Sequence, residues 1–146
     1  MTKMKDGFKT LVEFSLDDNI QLYETSVKVP GLSAGGPIDT TTMRNVRNRT
    51  MCPKSLITTT QLNITGGWNP ELYNEMEAMV GVNQEISIVL PTEDTIIVWG
   101  WIDSFEPSPL EEGEFPTVDL VVEISNQNDD EVPPTEQGPI LFVAGV

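Results

Sequence analysis

The stretch 84-QEISIVLPTEDTIIVWGWIDSF-105 decides the fold class. Two runs rich in β-branched and aromatic residues flank Pro91-Thr92-Glu93-Asp94, a composition suited to a tight turn. The expectation is a hairpin: one strand over residues 84–90, a second over 95–105, and PTED at the tip. In the second strand a period of two sets Ile97, Trp99 and Trp101 on one face. Ile96, Val98, Gly100 and Ile102 fall on the other. Both faces are apolar. Such a strand is either buried on both sides within its own chain or has one face covered by another subunit. Gly100 leaves room for a close neighbour.

Outward from this hairpin the pattern stays β. Residues 117–125 alternate strictly, with Val118, Leu120, Val122 and Ile124 on one face and Asp119 and Glu123 on the other. Residues 56–66, LITTTQLNITG, read as a strand in which Leu62 and Ile64 alternate. Residues 20–29 hold Ile20 and Leu22, then Val27 and Val29 after a phase change that suits a bulge. Residues 37–43 form a short extended piece anchored by Ile38. Residues 44–55 read as a polar, basic loop or hairpin arm carrying Arg44, Arg47, Arg49 and Lys54.

A helix is predicted over residues 69–80. Asn69 suits the N-cap, Pro70 the first helical position and Gly81 the left-handed exit. Leu72, Tyr73, Met76, Met79 and Val80 make one apolar stripe, with the methionines as core filler. Residues 106–116 and 126–139 read as polar loops. The apolar end ILFVAGV, residues 140–146, docks either on its own domain or on a neighbour.

Length and composition narrow the function. A chain of 146 residues fits one domain, residues 1–125, followed by an acidic, proline-containing tail, 126–146. There is no histidine and one cysteine, Cys52, so the commonest general base, the usual zinc sets and any intrachain disulfide are all missing. The acid runs at 16–19, 111–114 and 128–131 lack calcium-loop spacing. The expectation is a non-enzyme without cofactor or metal. The N-terminal residues show no signal-peptide pattern and no apolar run approaches the ~20 residues of a membrane span, so a soluble, intracellularly made protein is expected.

Charge is unevenly spread. Residues 1–54 hold all eight bases and six acids, whereas residues 55–146 hold seventeen acids and no base, giving the overall −15. Such a surface repels phosphate over most of its extent.

The ordered series VPGLSAGG, IDTTTMRN, a basic loop, LITTTQLNITGGWNPELYNEMEAMVGVNQEISIVLP and TIIVWGWIDSFEP, closed by an alternating strand ending ISN, resembles the tail tube (major tail) proteins of long-tailed bacteriophages. The likeness covers about residues 25–125. It implies an antiparallel β-sandwich or barrel-like fold with one flanking helix and a long loop at about 44–55. It further implies hexameric rings stacked into a virion tail tube, assembled in the host cytoplasm. Implied partners are further copies of the chain, the tip, tape-measure and terminator proteins, and double-stranded DNA passing without tight binding; no membrane is involved. On this reading Arg44, Arg47, Arg49 and Lys54 form an inter-ring contact, and Glu85, Asp119 and Glu123 are candidate lumen acids. Trp99, Gly100 and Trp101 mark a core or subunit-packing strand. The alternatives are a head decoration protein, a tail completion protein, or a small β-sandwich binding module.

Overall fold

The computed structural model describes residues 10–16 and 23–143. In chain order the first strands are β1 (Leu11–Phe14), β2 (Glu24–Lys28), β3 (Leu32–Ser33), β4 (Pro37–Asp39), β5 (Met51–Pro53), β6 (Thr58–Thr59) and β7 (Leu62–Gly67). Helix α1 (Pro70–Met79) follows, then β8 (Gln84–Val89), β9 (Thr95–Pro107) and β10 (Thr117–Ile124). Three short strands follow: β11 (Gln127–Asn128), β12 (Thr135–Glu136) and β13 (Ile140–Phe142).

The expected mainly β, antiparallel architecture is present, with a single helix among the described residues. One seven-stranded sheet runs β1-β8-β9-β10-β7-β2, with β13 attached to β9. Its spine is β9, which is long enough to serve different neighbours along its length. On one edge β8 pairs with its first half, from Val89 opposite Thr95 to Gln84 opposite Gly100. The turn between them closes through Glu93 N–H to Leu90 O at 2.9 Å and Leu90 N–H to Asp94 O at 2.8 Å, so PTED is the tip. On the other edge β10 pairs with the second half, from Ile124 opposite Gly100 to Val118 opposite Pro107. The remaining part of that edge, Thr95–Ile97, is taken by β13. The apolar C-terminal residues 140–142 therefore dock on their own domain.

One face of this sheet is the core. Val12, Phe14, Leu62, Ile64, Ile86, Ile88, Val98, Ile102, Leu120 and Val122 are all buried there, with Leu72, Met76 and Met79 of α1 laid over them. Removing each such side chain from water is worth ~1.5–3 kcal/mol, which is why the alternating strands share one register. The helix starts where the sequence says: the Asn69 side chain accepts Glu71 N–H, and Pro70 takes the first turn. It ends at Gly81, whose φ of 79° is left-handed. Gly81 N–H then donates to Ile102 O at 3.0 Å, so the helix exit covers the edge of β9 where β8 stops.

Gly100 sits where β9 and β10 cross closest. A Cβ there would stand 2.2 Å from Glu123 O, so no larger residue fits without moving a strand. Two residues before Glu123, the β10 register slips between Val121 and Val122, a bulge that deepens the local twist.

Several expectations need correction. Strand β1 was not anticipated, yet Val12 and Phe14 are core residues. Tyr73 and Val80 lie at the margins of the helical stripe and are exposed; Tyr73 instead meets Phe105 edge-on, with ring centroids 6.4 Å apart. Ile38 is exposed and anchors nothing in the core. The run 56–66 is two elements, because β6 belongs to a separate small ladder and only β7 joins the main sheet. A bulge does occur in β2, between Glu24 and Ser26, whereas Ile20 and Leu22 lie outside the described residues.

Candidate assembly surface

Between β2 and β7 the chain leaves the sheet. Pro30 and Gly31 end the extended run, and residues 31–60 go out and back as an arm. Its root is pinned by Thr60: Thr60 N–H donates to Gly31 O at 2.8 Å, and Gly31 N–H donates to Thr60 Oγ1 at 2.7 Å. Two small antiparallel ladders follow, β3 with β6 and then β4 with β5. Gly35 and Gly36, with φ of 79° and 89°, supply the left-handed step between them. The basic segment is thus the tip and returning limb of a hairpin.

The threonine-rich sequence explains how an arm without a core keeps its shape. Thr40 N–H donates to Thr50 O at 2.9 Å, and Thr50 N–H to Thr41 Oγ1 at 3.0 Å. At the tip, Thr42 N–H donates to Asn45 Oδ1 at 3.1 Å while Asn45 Nδ2 donates to Asn48 O at 2.7 Å. Asp39 accepts Thr41 N–H at 2.9 Å and forms an ion pair with Arg49 at 3.2 Å. Those Thr41 bonds, with Arg49 beside them, hold the Asp39 carboxyl below its ordinary range. Short side chains that bond to nearby backbone take the place of burial here.

No residue of the arm is buried. Leu32, Met43, Val46, Met51, Leu56 and Ile57 are all exposed, an apolar display that a free-standing hairpin has no internal use for. Residues 31–60 carry four bases and one acid. Among the described residues, Arg49 is paired, and Arg44, Arg47 and Lys54 face no carboxylate. The four basic residues therefore do share one element, but only three are free for a partner.

The three candidate acids share a different surface. Glu85 lies opposite Trp99, Glu123 opposite Trp101, and Asp119 opposite Glu106, all on the face of the sheet turned away from the core. Asp119 accepts the Thr65 hydroxyl at 3.1 Å, and the Glu123 carboxylate accepts the Gln61 side-chain amide. Trp99 shares this acid-bearing face yet is only 3% exposed. Just past β10, Ser125 N–H and Asn126 N–H both donate to the Trp99 backbone carbonyl, at 2.8 and 3.3 Å. Trp101 is half-buried. The polar segment that follows is held by Asn83, which bonds Gln127 O at 3.0 Å and Asp129 at 2.6 Å. These contacts, from Asn83 first and then Gln127, keep the Asp129 carboxyl low.

Sequence reading passed over one further feature. Tyr23 and Phe115 come together at the end of the sheet opposite the arm. Gly67 makes this possible: a Cβ there would lie 3.5 Å from the Phe115 ring and 3.6 Å from Tyr23 Cβ. Trp68 N–H donates to Pro116 O at 3.1 Å, while its indole nitrogen, like that of Trp99, is buried with no acceptor among the described residues. The local sign of it in the sequence is Gly67, since a glycine at a strand end leaves room for a close neighbour.

Among the described residues no His/Cys/Asp/Glu group has the arrangement of a metal site, and no helix is long and apolar enough to cross a membrane. No protein-family model and no curated protein matches the chain. A solved structure does: a chain from the cryo-EM structure of the anti-feeding prophage baseplate, 6-fold symmetrised, superposes with a TM-score of 0.62 at 12% identity, covering 100% of both chains. At that identity the likeness is one of fold, extending from end to end.

Proposed function

We propose that this chain is a structural subunit of a phage-like tail, forming six-membered rings that stack into a tube through which DNA passes. The observation that carries it is the arm: a pre-shaped hairpin with apolar and cationic side chains displayed to solvent, on a domain whose remaining charge is overwhelmingly acidic. Such an element gains energy only against another molecule, and the most abundant surface of opposite charge is another copy of the chain. The full-length fold likeness to a chain of a 6-fold symmetrised prophage baseplate supports the same reading.

The chemistry fits a DNA conduit. Six copies at −15 each give a ring a formal −90. Basic contacts would trap a passing duplex, because each neutralised phosphate releases counterions and adds affinity. Glu85, Asp119 and Glu123 are our candidates for the lumen surface. Stacking like-charged rings costs repulsion, and the arm cations Arg44, Arg47 and Lys54 offset it.

A second reading has specific support. The matched structure is a baseplate, so the chain could close a single ring at a tail end in place of a tube. Negative-stain microscopy of the concentrated protein separates these. Hollow tubes of repeated rings support the first reading, isolated rings support the second, and a monodisperse monomer at high concentration sinks both.

A further inference from the structure

We infer that the arm of one copy seats on the aromatic corner at the opposite end of the next copy. The inference rests on the stacking proposed above and assigns it a receiving surface.

The register of three strands supplies the geometry. β2 and β7 are antiparallel neighbours, and β7 pairs in turn with β10. At one end of this trio lie Lys28, Leu62 and Val122, where the arm leaves and returns. At the other lie Tyr23, Gly67 and Thr117, where the aromatic corner is built. Donor and receiver therefore point in opposite directions along the same strands. A contact between unlike patches at opposite ends of a molecule is heterologous, and repeated without closure it propagates as a stack. An arm limb from Leu32 to Met43 spans at most ~40 Å.

The two surfaces match in chemistry. Phe115 is 71% exposed and Tyr23 61%, unusual for aromatic residues that touch no core. The loop holding Phe115 is closed by Ser108 and Thr117, each donating its N–H to the other residue. That loop carries Glu111, Glu112 and Glu114 and no base. Apolar rings framed by carboxylates suit an apolar hairpin framed by Arg44 and Arg47.

Charge exchange tests the pairing. One variant carries Arg44→Glu and Arg47→Glu, sparing the Arg49–Asp39 brace. A second carries Glu111→Arg, Glu112→Arg and Glu114→Arg, and a third combines all five changes. All alter exposed side chains, and circular dichroism checks that the fold is kept. Each partial variant should lower the stacked fraction at fixed concentration by at least tenfold, in sedimentation and by microscopy. The five-change variant should return to within about threefold of the natural chain. Phe115→Ala should weaken stacking without altering the melting temperature. If the natural chain stacks and reversal of the glutamates changes nothing, or if the combined variant does not recover, the assigned corner is wrong while the tube reading survives. If the natural chain never stacks, both fall.

Discussion

Glu24 Oε1 accepts the backbone N–H of Val12 at 3.2 Å, so a side chain of one outermost strand caps the peptide edge of the other. No ladder joins β1 to β2 among the described residues, and this bond links the two ends of the sheet. An exposed β1 edge would be a template for unwanted pairing, and a carboxylate both satisfies it and repels a second strand. Glu24→Ala should cost about 1 kcal/mol in urea unfolding. It should also speed hydrogen exchange at the Val12 amide. Unchanged protection of that amide would show that the seam is held by other contacts.

Gly100 makes a sharper prediction, because the obstruction is backbone. With the Cβ of an alanine falling 2.2 Å from Glu123 O, no rotamer change relieves the clash. Gly100→Ala should destabilise the domain by about 2–3 kcal/mol, the cost of overpacking where a ladder must shift. The loss should appear as a lower denaturation midpoint with an unchanged urea dependence. A neutral outcome would mean that β9 and β10 lie further apart than described.

The helix cap gives a smaller effect of known size. Asn69 Oδ1 accepts Glu71 N–H at 3.1 Å, satisfying one of the free donors of the first turn. Asn69→Ala should cost about 1 kcal/mol, and Asn69→Asp should restore most of it by keeping the acceptor. Equal losses in the two variants would point to a role other than capping.

What the sequence makes legible here is local. Alternation in 117–125 names four residues that point one way, and Asn69-Pro70 through Gly81 frames a helix, because caps and periodicity act within a few residues. Trp99 is buried although it shares the face that bears Glu85 and Glu123, a tertiary outcome that alternation along the strand does not encode. β1 was missed because four residues, LVEF, give too short a pattern to rise above chance. The aromatic corner was missed for a different reason. Tyr23 and Phe115 lie far apart in sequence, and only the register of β2, β7 and β10 brings them together beside Gly67. The arm was half legible: its charge was plain, but the exposure of Leu32, Met43 and Val46 depends on their having no sheet to cover.

The arm tip should respond to acid in a defined window. Asp39 is held below its ordinary 3.8, through Thr41 first and then Arg49. A lowered carboxyl contributes order that is fully present above the unfolded-chain value and fades as pH falls through the folded one. The window therefore lies below pH 3.8. In an NMR titration the Asp39 carboxyl midpoint should fall there, and the Thr41 amide should shift with the same midpoint. Asp39→Asn should abolish the Thr41 transition. A midpoint at or above the ordinary value would remove the brace from the description of the arm.

Apolar side chains on the arm and in the core should behave oppositely. Met43 and Val46 are almost wholly exposed, whereas Met76 is 1% exposed beneath the helix. Met76→Ala deletes buried methylenes and leaves a cavity, so it should cost about 2–5 kcal/mol. Met43→Ser with Val46→Ser removes comparable apolar surface from the arm but should move folding stability by no more than about 0.5 kcal/mol, since neither side chain packs on its own domain. If the arm acts between copies, the same double change should nevertheless depress assembly by tenfold or more, measured at fixed concentration by sedimentation. Binding energy concentrated in a few apolar anchors makes such a separation expected. A fall in melting temperature of the isolated subunit would instead mean that the arm folds back onto its own sheet, and the case for an intermolecular role would lose its main support.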